Sequence, residues 1–169
     1  MFKTSLSLIA SSLLCSIYVS AYAADNITSP KTEATRVIKA SGIVRMVKAT
    51  NQPAKFACVD KAWKKSEVEV QGLLATNFTG EELHTIADFY ETPLGAKYIT
   101  AIETQVYNRN HPAQAKTIAN FSDAEQLELK QFYETPAGKK YLSSPEAQII
   151  TDATIKAGFD IALACFKPK

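Results

Sequence analysis

Apolar residues recur along most of this chain with the period of amphipathic helices. Ala34, Val37, Ser41, Val44 and Val47 share one side of a first predicted helix over 32–49, with Arg36, Lys39, Arg45 and Lys48 elsewhere and Gly42 weakening its middle. Asn51-Gln52-Pro53 signals a turn, after which Phe56, Val59, Trp63, Val70, Leu73 and Leu74 mark a second helix over 56–75. Val68, Glu69 and Val70 alternate as a strand would, but the run is too short and too charged to outweigh the surrounding period. His111-Pro112 predicts a short connecting helix reaching 119. Ser144-Pro145-Glu146 opens a last, long helix with Ile150, Ala153, Ala157, Ile161 and Ala164 on one stripe. The fold class is therefore all-α: a single-domain helical bundle.

Between these elements one unit occurs twice. Aligned from Phe78 and Phe121, residues 78–98 and 121–141 agree at ten of twenty-one positions. Each copy begins with a capping box, Thr79-Gly80-Glu81-Glu82 or Ser122-Asp123-Ala124-Glu125. Ile86, Phe89 and Tyr90, or Leu129, Phe132 and Tyr133, then place two aromatics on one helical stripe before Thr-Pro-x-Gly. Proline disfavours helical dihedrals at the threonine, whose hydroxyl is free to cap a new helix with the proline as its first residue. Each copy is thus predicted to be two helices meeting at a sharp corner, the second arms spanning 93–108 and 136–142. Gly95 and Gly138, two residues after the prolines, sit where a side chain would hold the arms apart.

The N-terminus changes the picture of compartment. Lys3, an uncharged apolar run from Leu6 to Ser20 and Ala21-Tyr22-Ala23 read as an export signal, residues 1–23, cleaved after Ala23. A lipid anchor at Cys15 competes, but Leu14 precedes that cysteine where a small residue is wanted, and the apolar run is shorter than the ~20 residues of a membrane span. Residues 24–31 read as a flexible leader and 32–169 as one helical domain in the periplasm. In an oxidising compartment the two remaining cysteines, Cys58 and Cys165, are expected to bond.

Charge is distributed unevenly. Residues 31–65 carry nine basic side chains against Glu33 and Asp60, a net of +7, whereas 66–169 carry nine basic and fourteen acidic, a net of −5. Lys55, Lys61, Lys64 and Lys65 form a candidate contact surface for anionic headgroups or an acidic partner, weighed against ordinary solvation and neutralisation by the acidic repeats. Nucleic acid does not suit this compartment.

Catalytic candidates are sparse. His84 and His111 are the only histidines, and no metal-ligand cluster, nucleophile elbow, phosphate loop or dinucleotide fingerprint occurs. No catalytic, cofactor-binding or metal-binding residue is assigned. His84 and Asp88, one helical turn apart, read as a solvated contact, and His84 is replaced by Leu127 in the second copy. Tyr90, Tyr98, Tyr133 and Tyr141, with Glu91 and Glu134, are read as packing and capping groups in preference to a glycan site.

The run Phe-Tyr-Glu-Thr-Pro-x-Gly-x-Lys-Tyr resembles the bacterial domain-of-unknown-function family 2059, through Phe89, Tyr90, Thr92, Pro93, Gly95 and Lys97 and again through Phe132, Tyr133, Thr135, Pro136, Gly138 and Lys140. The resemblance covers residues 78–142 and implies an exported helical module of a Gram-negative bacterium, with no agreed activity or catalytic residues to carry over; no cofactor is expected. The leading expectation is a non-enzymatic periplasmic protein that binds another protein, for instance as an inhibitor or immunity protein, with the contact surface between the repeats. The alternatives are an envelope factor touching anionic lipid or wall polymer, and a glycan hydrolase or lyase using Glu91, Glu134 or His84. Partner and oligomeric state are not specified by the sequence.

Overall fold

The computed structural model describes residues 28–49 and 53–165. The expected export signal, residues 24–27 of the leader and residues 166–169 lie outside that range. Among the described residues the structure is helical without strands, in the order α1 (Pro30–Ala40), α2 (Ile43–Ala49), α3 (Phe56–Asn77), α4 (Gly80–Glu91), α5 (Pro93–Asn110), α6 (Asp123–Glu134), α7 (Pro136–Ser143) and α8 (Pro145–Cys165). One core runs through it, from Val37 and Val59 through Leu83 and Ile86 to Phe132 and Ile161.

The N-terminal segment departs from expectation twice. The helix starts at Pro30 rather than 32, because Ser29 caps it and proline suits the first helical position, so residues 28–31 are not a loose leader. It then breaks instead of continuing to 49. Gly42 takes φ +66°, and a Cβ there would also lie 2.6 Å from Ile99 Cγ2. The cause is tertiary: α1 packs on α4 and α2 on α5. Arg36 reaches Asp88 and Glu91, Gly42 abuts Ile99, and Arg45 reaches Glu103, so the segment runs parallel to α4 and α5. Those two helices turn at Thr92-Pro93, and a straight helix over 32–49 would leave one of them.

Both corners are built as the motif requires. The Thr92 hydroxyl accepts from the Gly95 N–H at 3.0 Å and donates to the Phe89 carbonyl at 2.7 Å, serving the incoming and outgoing helices together. Thr135 does the same with Gly138 and Phe132, at 3.0 and 2.7 Å. A Cβ on Gly95 would collide with the Phe89 carbonyl oxygen, and one on Gly138 with that of Phe132. Both capping boxes are complete.

The connection after α5 is only a short 3-10 turn, Pro112–Gln114, followed by chain without regular secondary structure, and not the predicted helix to 119. It must travel back along α5, because Glu125 at the start of α6 meets Lys97 near the start of α5. α8 lies antiparallel on α3, tied by the Cys58–Cys165 disulfide and by Lys156 to Glu69 at 3.8 Å. That bond closes 107 residues of sequence separation, which loop-entropy bookkeeping values at about 4.7 kcal/mol.

Candidate functional site

The motif residues face one another across an internal two-fold relation. Phe89 and Phe132 stack with centroids 3.8 Å apart and planes 5° from parallel, at the centre of that relation. Around them the contacts come in matched pairs. Tyr98 meets Tyr133 at 5.9 Å while Tyr141 meets Tyr90 at 6.0 Å, and Tyr98 meets Phe121 at 6.4 Å while Tyr141 meets Phe78 at 6.1 Å. The motif lysines cross over as well. Lys97 Nζ lies 2.6 Å from Glu125 and 5.0 Å from the Phe121 centroid; Lys140 Nζ lies 2.9 Å from Glu82 and 4.8 Å from that of Phe78. Glu82 and Glu125 are the capping-box glutamates, so each motif lysine clamps the start of the opposite hairpin.

This geometry fills the space between the repeats with packed rings. Burial raises the Tyr90 phenol, reinforced by Tyr141, Tyr133 and Tyr98, and raises Tyr133 with Tyr98 beside it. Burial pushes Tyr141 up to about 12, with Ser41 acting the other way. These phenols are neutral packing groups at physiological pH.

A second cluster, not anticipated as such, joins α1 to α4. Arg36 donates to Glu33 at 2.7 Å, to Asp88 at 2.7 Å and to both carboxylate oxygens of Glu91 at 2.6 and 3.2 Å. His84 Nε2 lies 3.1 Å from Asp88 and its Nδ1 3.4 Å from Glu33. Burial opposes ionisation of Glu33, but hydrogen bonds from Thr28, Arg36 and His84 hold it below the usual carboxylate range. Arg36 is raised by Glu91 and Asp88. The guanidinium fills the space among the carboxylates, so His84 and Glu91 are brought together around a saturated ion-pair hub. Glu134 is elsewhere, exposed and 3.8 Å from Lys130. The signal for the hub was the opposed charge of the two halves of the chain, read without assigning Arg36 a partner.

The four candidate lysines do not share a face. Lys61 and Lys65 line a groove of about 610 Å³ between α3 and α8, beside the disulfide and with Ile161 and Ala164 on its floor. Lys64 lines a different groove with Asp60 and Glu67, and Lys55 precedes α3 as its N-cap. Lys61 and Lys65 form no ion pair among the described residues.

Among the described residues, exposed large apolar side chains occur singly at Val68, Ile118, Leu127 and Leu142, and four more lie on α8, at Ile149, Ile155, Phe159 and Leu163. Ile155, Phe159 and Leu163 recur every fourth residue and are 53%, 67% and 63% exposed, on the side facing away from the buried Ala157 and Ile161. Beside this ridge an apolar groove of about 430 Å³ runs between α2 and α8, lined by Ile43, Met46, Val47, Val106, Gly158 and Ala162 among others, without a charged residue. Among the described residues, a Cβ on Gly158 would meet nothing within 4 Å. Sequence reading missed this surface because the stripe it followed on α8 was the buried one. Phe159 and Leu163, apolar on the side opposite the buried stripe, were the available signal, since a helix that packs by one stripe alone carries polar residues opposite it.

Among the described residues no group of His, Cys, Asp or Glu is arranged to hold a metal ion, and no helix is long and apolar enough to cross a membrane. Residues 67–105 match the model of a family described as an uncharacterized protein conserved in bacteria (DUF2059). That span is the end of α3, all of α4 and most of α5, and it bears out the resemblance drawn from the corner motif. The second copy lies outside the matched span. No curated protein and no solved structure matches the chain.

Proposed function

We propose that this is a non-enzymatic protein of the bacterial periplasm that acts by binding another protein, with the apolar ridge and groove of α2 and α8 as its contact surface. The observation that carries this reading is the exposed line Ile155, Phe159 and Leu163 on a helix whose other side is already core. Thr154, Gly158 and Ala162 line the α8 wall of the groove at helical spacing, facing Ile43, Met46 and Val47. Small residues between larger aliphatic ones accept the apolar side of an incoming helix. Gly158 costs about 1 kcal/mol relative to alanine within a helix, and among the described residues no close neighbour uses the space it leaves. An inhibitor or immunity role fits such a binding module.

A photoreactive residue at position 159, irradiated in cells, should crosslink to a discrete partner, and Phe159→Glu with Leu163→Lys should abolish its co-purification. Retention of the same partner at the same yield by the double variant contradicts the proposal. A second reading rests on Lys61 and Lys65, which border α8, form no ion pair among the described residues and suit anionic lipid or wall polymer. Salt-sensitive binding to vesicles containing phosphatidylglycerol, lost in Lys61→Glu with Lys65→Glu, supports it; binding unchanged by the reversal removes it.

A further inference from the structure

The tyrosine–ring and lysine–glutamate contacts of the first hairpin on the second come in pairs of opposite direction, which is the property of an isologous interface between two copies of one subunit. Here both copies belong to one chain, joined by residues 111–120. Residues 112–120 of this connection are exposed throughout. It is fastened to the body by the Asn108 side chain, which exchanges two hydrogen bonds with the Lys116 backbone at 2.7 and 2.8 Å, and by Tyr107 with Gln114 at 3.1 Å. Fully extended, such a segment reaches roughly 35 Å. Beyond it, α6, α7 and α8 form a C-terminal arm that rests on the aromatic face of α4 and α5 and on α3, where Cys165 meets Cys58.

We infer that a second copy of this chain is a partner for this arm: two chains exchange residues 121–165 by straightening 111–120, each arm seats on the α1–α5 body of the other, and the Cys58–Cys165 bond fixes whichever arrangement exists when it closes. An exchanged pair reproduces every buried contact of the closed chain and differs only at the connection and in the entropy of association. Within one chain the tether gives the arm an effective concentration on the order of millimolar. Dilute reduced chains therefore close on themselves and concentrated ones exchange. Once Cys165 is bonded to Cys58 of its own chain, the last turn of α8 is held to α3 and exchange stops. In the exchanged pair Cys58 of one chain and Cys165 of the other each lose a proton. They together give two electrons to glutathione disulfide, which departs as two molecules of glutathione.

The test uses the full chain with Cys15→Ser throughout, so that only the native pair can bridge. Chains carrying Cys58→Ser are mixed with chains carrying Cys165→Ser, refolded at increasing concentration in a glutathione redox buffer, and mapped by non-reducing electrophoresis and peptide mass analysis. The expected product is a dimer joined by Cys58 of one chain to Cys165 of the other, in large excess over Cys58–Cys58 and Cys165–Cys165 dimers and increasing with concentration. In parallel, the chain with both cysteines intact, refolded reduced at high concentration and then oxidised, should give a dimer containing only interchain Cys58–Cys165 bonds. Statistical pairing of the single-cysteine chains, or a product of the intact chain that is monomeric at every concentration or bridged between like cysteines, overturns the inference.

Discussion

Lys97 Nζ lies 2.6 and 2.8 Å from the two carboxylate oxygens of Glu125, the residue that also accepts the Ser122 N–H to close the capping box of the opposite hairpin. Lys140 and Glu82 repeat this relation in reverse, at 3.1 and 2.9 Å, with the Thr79 N–H in the place of Ser122. A helix start in each hairpin is thereby secured by the corner of the other. The motif lysine is part of the frame.

This arrangement makes stability pH-dependent with a definite sign. Lys97 and the Ser122 N–H hold Glu125 below its ordinary value; at Glu82 burial pushes upward, but Lys140 and Thr79 outweigh it. The folded chain therefore binds fewer protons at these groups than the unfolded one. Their contribution is complete above the unfolded value of 4.5 and is lost as pH falls through the lower folded values. In urea titrations from neutral pH downward, wild-type stability should fall across this window. The variant Glu82→Gln with Glu125→Gln should start lower and show a shallower acid slope. Parallel curves for the two proteins would contradict the assignment.

The corner threonines and glycines should behave as matched pairs. Thr92→Val or Thr135→Val removes a cap and is expected to cost about 1–2 kcal/mol, with serine largely restoring it. Gly95→Ala or Gly138→Ala drives a methyl group into a backbone carbonyl and should cost about 3 kcal/mol, at the upper end of overpacking effects. Chemical denaturation of the four single variants checks this. Tolerance of alanine at either glycine would show that the two arms are not in contact there.

Much of this corner was legible because its signals are local: a threonine, the proline after it and the glycine three residues on interact within a single turn. The capping boxes were legible for the same reason, whereas the pairing of Cys58 with Cys165, 107 residues apart, followed from their being the two cysteines left once Cys15 is set aside with the expected export signal. The break at Gly42 was not, since it is dictated by the bend of helices distant in sequence. Residues 112–119 have helix-compatible composition, yet the connection must return along α5, and that requirement overrides propensity. The differences between the copies also carried unused information. Leu83 and Ala87, covered by α1, correspond to Gln126 and Lys130, which face water, so the mismatched positions mark which hairpin has a neighbour.

Removing the disulfide should be costly. Cys58→Ser with Cys165→Ser is expected to lower stability by about 2–5 kcal/mol, since the bond closes a loop of 107 residues of separation. Thermal unfolding of the oxidised wild type against the double variant measures it. A change below about 0.5 kcal/mol would mean that the bridge does not restrict the unfolded chain.

The α8 ridge should behave oppositely. Phe159→Glu and Leu163→Lys, at positions 67% and 63% exposed, are expected to alter stability by no more than about 0.5 kcal/mol. Denaturant midpoints check the fold, and crosslinking at position 159 checks binding. Substantial destabilisation would show that the ridge supports the frame.

The two-fold packing of the repeats is tested most directly by a double-mutant cycle on Phe89 and Phe132, read by denaturant unfolding of the wild type, the two leucine variants and the double variant. Rings stacked 3.8 Å apart should give a coupling of about 0.5–1.5 kcal/mol, with similar losses from either single substitution. Additive effects, or a loss confined to one of the two phenylalanines, would contradict a reciprocal interface between the hairpins.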